Sequence, residues 1–160
     1  MKVRQAELRD IPAVAMMFHE LLNLLKSHGQ WVLSDNAADV ENGVIGFLLF
    51  KMSTDENILL VTVDDKDWPN GFLAGWIMNY PPFYQHKRVG EIQFMYPASF
   101  DRSPYLLKEF TKWRQGLGAT AESNYATPGH KASIKFMERD GRKITYYHFL
   151  KPDEVTTNET

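Results

Sequence analysis

The chain has 160 residues, no cysteine and a formal net charge of −2. This length suits one domain with a core of its own, and the absence of cysteine excludes disulfides, thiolate nucleophiles and cysteine-based metal centres. The near-neutral charge gives no strong nucleic-acid signal, the longest apolar run (44–50) is far short of the roughly 20 residues that cross a bilayer, and the start, MKVRQAELRD, is charged where a signal peptide is apolar, so the chain reads as soluble and cytoplasmic.

In chain order, KVRQA is a short strand. A helix follows, with Asp10 as its N-cap and Pro12 in its first turn, where a missing N–H costs little. Val14, Met17, Phe18, Leu21, Leu22 and Leu25 recur at helical spacing, and Gly29 marks the end. A second helix is predicted over 37–52, capped by Asn36 or Asp35, with Val40, Val44, Phe47 and Leu48 on one face. Gly43 and Gly46 weaken it by about 1 kcal/mol each relative to alanine.

NILLVTVDD is a strand rich in β-branched residues. DDKDWPNG is a turn. FLAGWIMNY completes an antiparallel hairpin, PPFYQHKR is a loop, and VGEIQFMY is the next strand. A period of two places Glu91, Gln93 and Met95 on one face of it, and Ile92, Phe94 and Tyr96 on the other. A helix then opens with Ser103 at the N-cap and Pro104 first in the helix. Leu106, Leu107, Phe110 and Trp113 form its core face, and Gly116 or Gly118 ends it. ATAESNYA is a further strand. Residues 133–139 read as a helix, or as a strand before an Asp140-Gly141 hairpin turn. ITYYHFL is a last strand, and 153–160 form a polar tail behind a single domain spanning 1–152.

The element order β, α, α, β, β, β, α, β, α, β has an antiparallel centre and one crossover. It resembles the GNAT superfamily of acyl-CoA-dependent N-acyltransferases. VGEIQFMY looks like that family's fourth strand, YLLKEFTKW like the helix after it, and SIKFMERDG like a late family segment. The resemblance implies an α+β fold, with a mixed, mostly antiparallel sheet flanked by helices. It implies acetyl-CoA as co-substrate, and a small-molecule or protein amine as acceptor. The chain departs from the pattern in several places. The loop before the helix, PASFDRSPY, is shorter and has no glycine, Met137 stands where the family has a tyrosine, Asp140 and Arg142 replace an expected leucine and aromatic, and the chain has residues for little more than one of the family's two last strands. Small acyltransferase-like proteins of tailed bacteriophages look similar, with eroded cofactor loops. That likeness implies the host cytoplasm or a virion as location, with a homodimer or an assembly partner.

In the family, the fourth and fifth strands splay and the pantetheine arm lies between them, with the pyrophosphate at the helix N-terminus. The resemblance therefore casts Glu91 as catalytic base, against the plainer reading of a solvated strand-end carboxylate. Glu122 is second choice. Tyr125 stands in as general acid. Met95, Tyr96, Arg102, Ser103 and Asn124 are cast on the cofactor. The bland alternatives are that Ser103 is only a cap and that Arg102 pairs with Asp101 or solvent. Trp31, Tyr84 and His86 would line the acceptor site, with core packing as the alternative for Trp31. The five histidines show no metal-ligand spacing, so no metal is expected. No GxSxG, P-loop, HExxH or Rossmann fingerprint is present. The rival to an N-acetyltransferase is a GNAT-like protein without catalysis, serving in binding or assembly.

Overall fold

The computed structural model describes residues 2–27, 34, 36–97, 101–124, 135 and 138. Among the described residues, five strands and three α-helices run in the order β1 (Lys2–Gln5), α1 (Ile11–Ser27), α2 (Ala37–Phe50), β2 (Asn57–Val63), β3 (Pro69–Asn79), β4 (Arg88–Tyr96), α3 (Ser103–Gly116) and β5 (Ala121–Asn124). They form one sheet in sequential order. Every pair is antiparallel except β4–β5, which the α3 crossover makes parallel. The predicted mixed, mostly antiparallel α+β fold is the one observed. Lys135 and Glu138 are helical, as in the first reading of 133–139. The rest of that segment, the strand ITYYHFL and the polar tail lie outside the described residues.

The helices cover the sheet from both sides because each carries an apolar stripe that must leave water. On one face, α1 and α2 bring Val14, Phe18, Leu22, Val44 and Leu48 onto Leu59, Val61, Phe72 and Ala74. The aromatic centre of this layer is Phe18, Phe47 and Phe94. Their ring centroids are 4.7 to 5.5 Å apart, and the Phe18–Phe94 and Phe47–Phe94 pairs are edge-on, the arrangement the ring quadrupoles favour. On the other face, Leu106, Leu107 and Phe110 of α3 pack onto Ile58, Leu60, Leu73, Ile92 and Met95. Gly75 and Gly90 make that close approach possible. A Cβ on Gly75 would sit 2.5 Å from the Phe110 ring, and one on Gly90 would sit 2.7 Å from Arg114.

Several boundaries differ from expectation for local reasons. Asp10 does not cap α1. It closes a single 3₁₀ turn, Leu8–Asp10, accepts the Glu7 N–H at 2.7 Å and pairs with Arg4 at 2.6 Å. Arg4 also binds Asp67 at 3.0 Å, tying β1 to the turn between β2 and β3. That turn spans 64–68 rather than running through Pro69-Asn70-Gly71. The Asp64 carboxylate accepts the N–H groups of Lys66 and Trp68 at 2.9 and 2.8 Å, and Asp67 takes φ +62°, a conformation aspartate tolerates. Pro69 can therefore begin β3, where its missing N–H is harmless. At the start of α3, Arg102 holds the cap position and Ser103 is already helical. The Ser103 hydroxyl donates to the Pro97 carbonyl at 2.9 Å, which anchors the helix to the preceding loop. The Asn36 cap of α2 is as expected, with its side chain accepting the Ala38 N–H at 3.1 Å.

Within α2, a Cβ built on Gly46 meets nothing within 4 Å. Alanine there removes backbone freedom from the unfolded chain without strain. Gly46→Ala is expected to stabilise the fold by up to about 1 kcal/mol, read from the urea midpoint.

Candidate active site

The site is organised by one extra residue. β3 and β4 pair in register from Trp76↔Glu91 to Gly75↔Ile92. The partner of Ala74 is then Phe94, so Gln93 is bulged out. The bulge reverses the alternation of β4. Phe94 and Tyr96 turn to the α1–α2 face, and Met95 turns to the α3 face beside Ile92. Glu91 shares the face of Phe94 and Tyr96, not that of Met95. The uninterrupted period expected from the sequence is corrected here, because a bulge shifts every later side chain to the opposite face.

Glu91 is buried, at 4% exposure, so the plainer reading of a solvated carboxylate does not hold. Its Oε1 accepts the indole N–H of Trp76 at 2.9 Å. Below the Trp76 ring lies a residue the sequence reading passed over. Lys51, just past the end of α2, is 1% exposed. Its ammonium sits 4.4 Å from the Trp76 ring centroid, 5.3 Å from the rings of Phe47 and Phe50, and 3.3 Å from Asn57 Oδ1. Burial lowers the Lys51 pKa from 10.5 to about 8, and the charge of Glu91 partly opposes that fall. A lone lysine after the apolar run 44–50 was the available signal. Nothing local told that its stem would turn inward.

β5 pairs with β4 from Val89↔Ala121 to Ile92↔Asn124, and β4 continues through Gln93 to Tyr96. Glu91 therefore lies one residue before the end of the described pairing, opposite Ser123, and Asn124 sits at that end. Two buried polar atoms here, Gln93 Oε1 and Ser123 Oγ, have no hydrogen-bond partner among the described residues. Glu122 is held elsewhere. It accepts from Arg114 Nε at 2.8 Å and from Thr111 at 2.9 Å.

Tyr96, at the far end of β4, donates its hydroxyl to Glu20 of α1. That bond, reinforced by burial, raises the phenol pKa above its ordinary value. The Met95 side chain lies in the core under α3. Arg102 Nη1 donates to the Asn70 carbonyl at 2.7 Å, and Nε lies 3.6 Å from Asp101. Ser103 is wholly buried. Tyr84 and His86 sit in the loop before β4, at the opposite end of that strand from Arg102 and Ser103. Tyr84 meets Phe83 and Tyr80 in tilted ring contacts at centroid distances of 5.0 and 5.3 Å, and His86 Nδ1 lies 3.0 Å from the Thr120 hydroxyl. Trp31 and Tyr125 lie outside the described residues, as does Met137. Among the described residues no acidic or histidine cluster could hold a metal, and no helix is long and apolar enough to cross a membrane.

This architecture is the fold of the GNAT-type acetyltransferases. An aminoglycoside N-acetyltransferase, AAC(6')-Iy, solved with CoA, superposes with a TM-score of 0.74 at 13% identity, covering 96% of this chain and 94% of the other. A predicted acetyltransferase from Clostridium acetobutylicum, solved with acetyl-CoA, gives 0.72 at 16% identity over 94% of this chain and 95% of its own. The BH1408 protein of Bacillus halodurans, as a tetramutant, gives 0.76 at 12% identity, with 95% and 99% covered. No family model matches the sequence, and no curated protein matches it.

Proposed function

We propose that the protein is an N-acetyltransferase that moves an acetyl group from acetyl-CoA to a primary amine, with Glu91 as the base. The observation that carries this reading is a buried carboxylate, oriented by the Trp76 indole and lying opposite Ser123 of β5 in the register of the sheet. A buried carboxylate is costly unless it is paired, and such groups concentrate at functional sites.

The residues present fit the arm of acetyl-CoA. Among the described residues, Gln93 Oε1 is a buried acceptor lacking a donor, and Ser123 Oγ is a buried hydroxyl lacking a partner. A ligand with amide N–H and C=O groups matches both. Acetyl-CoA supplies the activated acetyl group as a thioester. Gln93, Ser123 and Asn124 would hold its arm, and Arg102 beside the α3 N-terminus would meet its phosphates. Ser103 acts indirectly, by fixing the helix start through Pro97. Glu91 takes the proton that the acceptor amine must lose. Tyr96, with its proton committed to Glu20, positions the end of β4. Tyr84, His86 and Trp31 are the candidate acceptor residues in this reading, and Tyr125 is the candidate acid for the departing thiolate.

One observation favours the rival. Arg102 and Ser103 both donate to carbonyls of their own chain, so the fold could be kept for binding or assembly, a phage particle included. A thermal shift separates the two. Acetyl-CoA at about 100 times its dissociation constant is expected to add roughly 2.7 kcal/mol of stability. An unchanged melting temperature at millimolar acetyl-CoA would overturn the transferase and favour the rival.

A further inference from the structure

Beyond this reading, and resting on it, we infer that Lys51 is the positioning residue of Glu91: its buried ammonium, seated on the Trp76 ring, holds the indole and the carboxylate as one charged unit. Three elements build the unit. The end of α2 supplies Lys51, β3 supplies Trp76 and β4 supplies Glu91. Trp76 and Glu91 are register partners, so their side chains leave the same face of the sheet. The Trp76 ring faces the ammonium, with its centroid 4.4 Å from Nζ, while its N–H edge points at Glu91 Oε1, 2.9 Å away.

The geometry uses both poles of the indole. Its face is electron-rich and attracts a cation, and its N–H is a donor only. A cation on the face draws electron density from the ring and strengthens the N–H bond to the carboxylate. Phe47 and Phe50 wall the ammonium off from water, so its attraction to Glu91 acts through a poorly screening interior. Asn57 fixes the ammonium from β2 and is itself held by Thr54 at 2.8 Å. Among the described residues, Glu91 is the charged group that acts on Lys51. The nearby carboxylate of Glu56 is paired with Arg88 at 2.6 Å. A lysine that merely filled space would need neither the ring beneath it nor the carboxylate beyond.

The test needs no acceptor substrate. In a ¹H–¹⁵N spectrum the Trp76 indole resonance, assigned by its loss in Trp76→Phe, reports the hydrogen bond to the carboxylate it touches. Lys51→Met preserves the volume and removes the charge. Exchange of the indole N–H with solvent at pH 7 is expected to become about tenfold faster as that bond loosens, and Lys51→Arg, which keeps a cation on the ring, is expected to restore slow exchange. Exchange as slow in Lys51→Met as in the natural protein would overturn the inference. Should Lys51→Met fail to fold, ¹³C-lysine spectra of Glu91→Gln give the converse. The Lys51 midpoint is expected to fall below about 8 once the carboxylate charge is gone. An unmoved midpoint would overturn the coupling. Full acetyl transfer by Glu91→Gln would instead remove Glu91 as base, and this role with it, while leaving the midpoint shift in place.

Discussion

Glu91→Gln is expected to lower kcat/KM for acetyl transfer by about 10²-fold or more, the usual contribution of a positioned general base. Glutamine keeps an oxygen for the Trp76 N–H and nearly the same volume, so the bond from β3 is retained while the proton acceptor is lost. The measurement is release of free CoA thiol against a panel of primary amines, with the acetyl-CoA thermal shift recorded in parallel. Loss of transfer with the shift retained marks a defect in chemistry. Loss of both marks a collapsed site. Undiminished transfer sinks Glu91 as base. Glu122 is no substitute, because its carboxylate is bonded to Arg114 and Thr111 on the α3 side of β5.

The second large effect is on stability at alkaline pH. Folding lowers the Lys51 pKa from 10.5 to about 8. Below about pH 8 the amine is charged in both states, and the folded protein bears the full cost of enclosing it. Above 10.5 it is neutral in both, and that cost is gone. In between, the unfolded chain binds the extra proton, so stability rises with pH. The gap corresponds to about 3 kcal/mol. Urea unfolding of the natural protein and of Lys51→Met, compared at pH 7.5 and pH 10, is expected to show the natural protein gaining most of that amount relative to the variant. Tyrosine titration affects both proteins alike and cancels in the difference. Parallel stability curves would show that Lys51 is not a buried ammonium.

The two effects share one origin. The aromatic layer that stabilises the α1–α2 face also lies against the Lys51 ammonium, so Phe47 serves both the core and the site. Natural sequences retain buried charge at a cost to stability where it serves a site, and enclosed pairs are seldom a net gain to folding. Replacing Lys51 is therefore expected to harm the positioning of Glu91 more than the fold.

Much of this architecture was written along the chain. The stripe Val14, Phe18, Leu22 made α1, and the Asn36 cap set the start of α2. The β-branched run at 57–63 and the strand 89–96 gave the sheet, and Leu106, Leu107 and Phe110 gave α3 its buried face. These are local rules of period and capping, read within a few residues. Glu91 was legible as a candidate because a carboxylate in a strand is unusual, and its place in the element order suggested a role.

What only the tertiary structure decided was where those side chains point and what they meet. The extra residue at Gln93 reverses the face of everything after it in β4, because a bulge is fixed by the partner strand and leaves no mark in one strand's alternation. Lys51 is enclosed because Trp76 and Asn57 from the sheet and Phe47 and Phe50 of α2 gather around it; by local rules alone a lysine at a helix end belongs in water. Arg102 and Ser103 turn to the carbonyls of Asn70 and Pro97 for the same kind of reason. Burial and pairing are properties of three-dimensional neighbours, and a pattern of polar and apolar residues fixes the elements before it fixes the contacts between them.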